Sequence, residues 1–448
     1  MIKKSLLSLA ALTVSAAILL SACGGGAAPK EDTKPPEAPA AGTGSDAKAE
    51  AKLKGDLVYW SMWNETEPQA LVIKDAASDF EKTNPDVKIK IQWSGREIRK
   101  TLVPALDAGQ VIDLWDEDCE RIVKNYQKYS LKLDDLYGKA YPTTNSKPYK
   151  DIVMPSLVNL VSSFSTDKGL YAVPYQPMVI AFMYNKEHFE KAGLKSTPKT
   201  WAEFVDACEK LKAAGFTPLT NDDAYIDLPI GHHLSRYLGV KAVEELVKDK
   251  TGAKWDDPKV LKALKDYEAL VAKGYISPAV ATNKWPAGQQ EIATGKVSMY
   301  LNGTWLPNEI MGTTGPEFKW GQFAYPAVEG GVEGTSAGIY GAQGFQINKD
   351  CKAPETAFAF AVSMTTGKWD QELSAKTFGA PMSSDTPWPE QIAEEKEIFS
   401  SMTLWYPWGA GVDADSDKLP IINANFTKLC SGKLKAEDFI KNVKANTK

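Results

Sequence analysis

The stretch LVYWSMWNETEPQALVIKDAASDFEKTNPDVKIKIQW, residues 57–93, decides the fold of this chain. It opens with a near-continuous apolar run, which is typical of a strand that is covered on both faces. Residues 70–82 then place their apolar side chains on one helical face, and Asn84 and Pro85 end that helix. Residues 87–93 alternate apolar and polar side chains, which predicts a half-buried strand.

The pattern continues beyond residue 93. A helix is predicted around residues 96–109, and VIDLW, residues 111–115, as a third strand. This alternation predicts an α/β fold with a doubly wound parallel sheet. Later segments keep the same character without an internal repeat: strands at 178–185 and 297–301, and helices at 201–215, 257–274 and 354–366.

Composition narrows the class of protein. The chain has 448 residues, enough for two or three domains, and 43% of them are hydrophobic. Its formal net charge of −5 gives no reason to expect nucleic acid as a partner. The 13 Trp and 17 Tyr residues are many for this length, and they are the compositional feature that bears on function.

The first 54 residues have the character of a targeting segment. Residues 1–22 combine Lys3 and Lys4 with a short apolar run, which predicts a secretory signal peptide. The ending Leu-Ser-Ala-Cys, residues 20–23, matches the lipobox of bacterial lipoproteins, so Cys23 is predicted to carry lipid. A plain signal peptide is the alternative. Residues 23–54 are predicted to be a disordered tether, and the lipid to be the membrane anchor.

Metal and cofactor sites are not predicted. The remaining cysteines lack zinc-site spacing, and a disulfide between Cys351 and Cys430 stays open. DADSD, residues 413–417, begins like a calcium loop, but Lys418 and Ala424 occupy the positions of the required Gly and Glu, so we expect a plain loop, with a looser metal site as the alternative.

Aromatic and polar residues recur at the predicted strand ends, where open α/β sheets bind ligands. Aromatic rings pack on the C–H faces of a sugar, while carboxylates and amides bind its hydroxyls, so the pattern predicts a neutral polyhydroxylated ligand. Trp60 and Trp201 are instead predicted to lie in the core. The candidate ligand-binding residues from strand ends are Trp63, Asn64, Glu65, Asp116, Glu117, Tyr175, Gln176, Asn302, Trp305, Trp405 and Trp408.

Catalysis has little support in the sequence. There are three His residues, and no nucleophile-elbow or zinc-protease motif occurs. Asp116 to Asp118 would be the candidate carboxylates of a glycosidase, but acidic clusters are more common as solvated faces. We therefore expect a binding protein without catalytic residues.

Several segments resemble the extracellular solute-binding proteins (family 1 type) of carbohydrate ABC importers. The most specific are GLYAVPYQPMVIAFMYNKEHFEKAGL with PKTWAEFVDACEKLKAAGFTPL, within residues 169–219, and ATGKVSMYLNGTW, residues 293–305. The segments at 337–366 and 429–443 are weaker matches. Together they span residues 57–445.

This resemblance implies a type II periplasmic-binding-protein-like fold, in which two hinged lobes each contain a sheet flanked by helices. The implied lobes are residues 55–176 plus 340–379, and 177–339 plus 380–448. It also implies a monomeric carbohydrate receptor that works with two membrane permease subunits and a cytoplasmic ATPase. A lipid on Cys23 would hold it at the extracellular face of the membrane, as in Gram-positive bacteria.

The resemblance also implies roles for individual residues. Trp305 matches the family's sugar-stacking Trp after Asn-Gly, and Tyr340 falls at the second chain crossing. Asn221, Asp222 and Trp285 are further candidates. The expected function is an oligosaccharide receptor; a receptor for a polyol or a peptide, and then a glycoside hydrolase, are the alternatives.

Overall fold

The computed structural model describes residues 52–446, so the predicted signal peptide, Cys23 and most of the predicted tether lie outside the described residues. The strands, numbered β1 to β10, are Gly55–Ser61, Val87–Trp93, Leu114–Asp118, Val173–Asn185, Thr217–Thr220, Val297–Gly303, Trp320–Phe323, Ala337–Gly338, Tyr340–Ile347 and Leu404–Trp405. The helices, numbered α1 to α18, are Pro68–Thr83, Ile98–Asp107, Cys119–Tyr126, Asp134–Tyr137, Pro155–Phe164, Lys186–Lys191, Trp201–Ala213, Asp227–Leu238, Val240–Lys248, Pro258–Ala272, Ala287–Ala293, Leu306–Glu309, Met311–Thr314, Pro354–Met364, Gly367–Thr377, Glu395–Ser401, Leu419–Cys430 and Ala436–Ala445.

The first sheet has the strand order β2-β1-β3-β9-β4. Strands β2, β1 and β3 are parallel, as the alternation of residues 57–115 predicts. Strand β9 then runs antiparallel to both β3 and β4, so the sheet is mixed. The prediction of a parallel sheet is therefore correct for its first three strands and wrong beyond them, because β9 arrives from a distant part of the chain.

The third strand lies three residues later than predicted. It covers Leu114–Asp118 instead of 111–115. The Asp113 carboxylate accepts a hydrogen bond from the Val58 amide at 2.9 Å, so a side chain takes the place of a ladder bond before the strand begins. Val111 is exposed. Asp116 and Glu117 consequently lie within the strand and not in the loop that follows it.

The second sheet is built on the other half of β4. Strand β4 pairs with β6 and β7 from Ile180 onward, and β5 pairs with β6. The first half of β4 belongs to the first sheet, with a bulge between Tyr175 and Pro177. One strand therefore runs through both sheets.

Two large hydrophobic cores accompany the two sheets, as expected for a two-lobe fold. Along the chain the core changes between Val179 and Phe182, after Ile339, and between Met402 and Tyr406. Residues 380–402 pack partly on the first core and partly on a smaller cluster beside the second sheet. The proposed lobe limits at 176/177, 339/340 and 379/380 stay predictions.

The four cysteines of the described residues are free. Cys351 packs against the first core and Cys430 belongs to the second, so the disulfide that the sequence left open does not form. Across residues 52–446, no group of three or more His, Cys, Asp or Glu is arranged to hold a metal ion. The same part of the chain has no helix that is both long and apolar enough to cross a bilayer.

Candidate ligand-binding cleft

Two adjoining cavities, of about 390 and 570 Å³, are lined by residues from both lobes. We call them the first and the second cavity. The first is lined by Trp63 and Arg96 from the first lobe and by Tyr225, Trp305 and Glu309 from the second. Most of these residues follow strands β1, β2, β5 and β6, so the cleft lies where sheets of this type bind ligands.

The second cavity is lined by several aromatic side chains together with charged and polar ones. Phe164 and Lys124 come from the first lobe, Trp408 from the second, and Tyr340 and Trp405 from the crossing segments. Four residues line both cavities: Arg99, Met178, Trp305 and Gln343. The two cavities therefore form one continuous cleft, and Trp305 stands where they meet.

Three aromatic rings form a cluster on the second-lobe wall. The rings of Trp305 and Trp408 are stacked, with centroids 6.0 Å apart and planes inclined by 21°. Tyr225 lies 6.2 Å from Trp305 and accepts a hydrogen bond from the Trp305 indole N–H at 3.2 Å. Trp305 itself is only partly buried, so the cluster presents an apolar surface to the cleft.

The position of Trp305 depends on Gly303 at the end of β6. A Cβ atom on Gly303 would lie 2.3 Å from the Trp305 ring. Because no side chain fits there, glycine lets the indole lie directly over the strand end. This close approach explains the spacing of the Asn-Gly-x-Trp segment.

A second pair of rings lies on the opposite side of the second cavity. Phe164 and Trp405 meet edge to face at 5.1 Å, and the Lys124 ammonium lies 5.1 Å from the Trp405 ring. Trp405 packs against the first core, whereas Trp408 packs against the second. The short segment 405–408 thus brings one tryptophan to each wall.

Trp63 has a different environment from the one that a free stacking platform needs. Its ring is buried, with the Arg96 guanidinium 4.7 Å from its centroid. Its indole N–H donates to the Tyr175 hydroxyl at 2.7 Å, and that hydroxyl donates to the Asp116 carboxylate. Burial raises the pKa of Asp116 to about 6, and the hydrogen bonds it accepts oppose this shift. Asp116 and Tyr175 therefore support the cleft from behind Trp63.

Glu117 lies beneath the first-lobe wall, where it is buried. One carboxylate oxygen accepts two hydrogen bonds from Arg99, at 2.7 and 2.9 Å. The other oxygen lies 2.7 Å from Nε of Arg121. Glu117 therefore holds two arginines whose side chains reach the cleft.

Of the three polar candidates Asn64, Glu65 and Gln176, one lines the first cavity. Gln176 lines it, and its left-handed backbone (φ 47°) accompanies the bulge in β4. The exposed Asn64 donates its backbone N–H to Glu67 at 2.5 Å, and Glu65 pairs with Lys74 at 3.2 Å. Neither Asn64 nor Glu65 is among the residues that line the two cavities.

The remaining candidates lie behind or away from the cleft. Asp222 accepts a hydrogen bond from Tyr300 at 2.8 Å, and burial raises the pKa of Asp222 to about 6. Asn221 accepts a hydrogen bond from the Asp222 amide, and the Asn302 side chain accepts one from the amide of the next residue. Trp285 is 49% exposed. None of these four candidates lines either cavity, and their role in binding stays a prediction.

Several cleft residues were not predicted from the sequence: Arg96, Arg99, Tyr225 and Glu309. Arg96 follows the end of β2, so the strand-end rule would have found it had it been applied to that strand. Tyr225 and Glu309 lie farther along the segments that follow β5 and β6, and the hydrogen bonds that join them to Trp305 become visible only in the folded chain.

Every cation that lines the two cavities has a carboxylate partner on its own lobe. Arg96 makes two hydrogen bonds to Glu67, at 2.9 and 3.0 Å, and Lys124 pairs with Glu120 at 2.6 Å. The two remaining cations, Arg99 and Arg121, share Glu117. Neutralised pairs can exchange hydrogen bonds with hydroxyl groups, but they leave no unpaired positive charge for an anion.

Two mixed sheets that share a strand, with an aromatic cleft between the lobes they build, define a two-lobe binding protein. Bacterial extracellular solute-binding proteins match residues 63–370, and this chain belongs to that family.

Two curated relatives and two solved structures illustrate the similarity. The chain is 25% identical to the multiple sugar-binding protein of Streptococcus mutans over 334 residues, which cover 71% of this chain and 73% of that protein. It is 29% identical to the diacetylchitobiose binding protein DasA of Streptomyces coelicolor over 239 residues, 52% of this chain and 51% of that one. A chitin oligosaccharide binding protein superimposes with a TM-score of 0.65 at 23% identity, covering 88% of this chain and 98% of that chain. Apo RafE from Streptococcus pneumoniae superimposes with a TM-score of 0.69 at 19% identity, covering 88% of this chain and 97% of that chain. The two structures support the two-lobe fold.

Proposed function

We propose that the protein is an oligosaccharide receptor that closes on its ligand and delivers it to an ABC permease. The observation that carries the proposal is the cluster of Trp305, Trp408 and Tyr225, which offers apolar ring surface to a cleft whose polar groups are hydrogen-bonding or charge-paired. Rings of this kind pack on sugar C–H faces, while the polar groups bind hydroxyls. The relatives named for sugar binding support the same class of ligand.

The ligand is proposed to have more than one sugar ring. The two cavities continue into each other at Trp305, and aromatic surface lines both of them. A single pyranose ring would occupy one of the two cavities and leave the other without bound sugar. Since each lobe supplies only part of the lining, the ligand favours the arrangement in which both walls contact it.

A thermal-shift screen of the full chain tests this function. The probes are raffinose, maltotriose, xylotriose and N,N′-diacetylchitobiose, with sorbitol, sn-glycerol 3-phosphate and trialanine for other nutrient classes. We expect a saturable rise in melting temperature with at least one oligosaccharide and no sugar product after several hours. A shift only with the non-sugar probes would contradict the sugar assignment, and release of product would indicate a hydrolase.

The proposal has three further parts. The protein is a monomer, it is attached to the membrane through Cys23, and it works with two permease subunits and a cytoplasmic ATPase. The family's extracellular character supports export, and the lipobox-like ending of residues 20–23 supports lipidation. We expect the chain expressed in a Gram-positive host to incorporate labelled palmitate and remain with the membrane. Cys23→Ser should abolish the label and release the protein; a labelled Cys23→Ser variant would contradict the anchor.

A further inference from the structure

Glu309 is a carboxylate in the first cavity to which neither the sequence nor the family comparison assigns a role. It ends the short helix α12, which begins directly after Trp305, and its backbone N–H donates to the Trp305 carbonyl at 3.1 Å. This helical spacing places Trp305 and Glu309 on the same side of the turn. Asn308 lines the same cavity.

One oxygen of Glu309 is fixed from behind. The buried Gln289 donates its side-chain N–H to Oε2 at 2.6 Å. Glu309 itself is exposed, and it has no cation within ion-pair distance among the described residues. Its carboxylate is therefore oriented while it keeps acceptor capacity towards the cavity.

Arg96 lines the same cavity from the first lobe. Its guanidinium is held by Glu67 and donates to the Met62 carbonyl at 2.7 Å. Partial desolvation in the cleft raises the pKa of the Glu309 carboxyl, and the Arg96 guanidinium opposes that shift. An oriented acceptor and an oriented donor thus belong to opposite walls of one cavity.

We propose that Glu309 is a specificity-determining residue that accepts hydrogen bonds from neighbouring hydroxyls of the sugar ring stacked on Trp305, while Arg96 donates to the same ring from the first lobe. This inference rests on the proposed function and specifies it. The first cavity selects a neutral pyranose with adjacent free hydroxyls, because Glu309 repels a carboxylate or phosphate placed against Trp305. A carboxylate beside an aromatic ring fixes the orientation of a sugar that stacking alone leaves free to rotate.

Calorimetric titration of Glu309→Gln tests the inference. The amide keeps the size of the side chain and removes the charge and half of the acceptor capacity. For each of raffinose, maltotriose, xylotriose and N,N′-diacetylchitobiose that the wild type binds, we expect Kd to rise at least about tenfold, as for loss of charge-assisted hydrogen bonds. Glu317→Gln, an exposed position that does not line the cleft, is the matched control and should stay within about twofold.

The melting temperature without sugar serves as the readout for folding, and it should match the wild type in both variants. Unchanged sugar affinity of Glu309→Gln would overturn the inference and leave the receptor function intact. Tight binding of sn-glycerol 3-phosphate by the wild type would overturn it as well. Failure of the wild type to bind any of the four sugars would overturn both the proposed function and the role of Glu309.

Discussion

Replacement of Trp305 by Ala is expected to abolish most sugar binding. The ring is partly buried, stacks on Trp408 and lines both cavities, so its loss removes apolar surface from the centre of the cleft. Central aromatic anchors of this kind contribute about 2–4 kcal/mol, which corresponds to roughly 30- to 1000-fold in Kd. Isothermal titration calorimetry measures this change in Kd, with the oligosaccharide that gives the largest shift in the thermal-shift screen.

A matched control separates binding from folding. Trp369→Ala removes the same side chain from helix α15, away from the two cavities, and should leave sugar affinity unchanged. Gly303→Ala should weaken binding as Trp305→Ala does, because its Cβ would displace the ring. If Trp305→Ala lowers the melting temperature but binds the sugar normally, then Trp305 is a core residue and not a binding residue.

Replacement of Glu395 by Gln is expected to change the pH dependence of stability. Glu395 is completely buried at the start of helix α16, which packs on β4 and β7, and neither carboxylate oxygen has a hydrogen-bond partner. Burial raises the pKa of Glu395 to about 8; the Thr304 hydroxyl opposes this shift, although it does not reach hydrogen-bond geometry. The folded protein therefore keeps this carboxyl protonated at neutral pH.

The direction of the effect follows from the two pKa values. In the unfolded chain the group ionises near pH 4.5, so between that pH and about 8 the folded state holds one proton more. The free energy of unfolding must then fall as the pH rises, by about 1.4 kcal/mol per pH unit from this group. Glutamine cannot ionise and removes this slope.

Urea unfolding at pH 5 and pH 8 measures the difference. We expect the stability of Glu395→Gln relative to the wild type to increase by about 2–4 kcal/mol between the two pH values. Glu397→Gln changes an exposed position on the same helix, and its free energy of unfolding should depend on pH in the same way as that of the wild type. If the free energy of unfolding of Glu395→Gln also depends on pH in the same way as that of the wild type, then Glu395 is already ionised in the folded protein.

The fold was largely predictable because its first strands carry strong local patterns. Residues 87–93 alternate so regularly that the predicted and observed limits of β2 agree. Trp60 and Trp201 are buried, as their strand and helix positions predict. The shifted limits of β3 were not predictable, because they depend on the Asp113 side chain bonding to a strand 55 residues earlier.

The cleft was less predictable than the fold, for a physical reason. Strand-end positions indicate which residues lie near the cleft. They do not indicate whether the side chains of those residues are already hydrogen-bonded to other parts of the protein. Asp116 and Glu117 lie near it, yet their oxygens are taken by Tyr175, Met62 and the two arginines. Tyr225 reaches it through a hydrogen bond with Trp305, 80 residues away, that no local pattern encodes, whereas Glu309 is brought beside Trp305 by the short helix that follows Trp305.

The measurement that tests the central claim most directly is small-angle X-ray scattering of the Cys23→Ser chain. It is made with and without a saturating concentration of the oligosaccharide that gives the largest shift in the thermal-shift screen. If the protein is a two-lobe sugar receptor, the sugar should reduce the radius of gyration, and Trp305→Ala should remove that reduction at the same sugar concentration. A radius of gyration that stays the same while titration shows the sugar bound would contradict closure. Absence of binding by all four sugars would contradict the receptor itself.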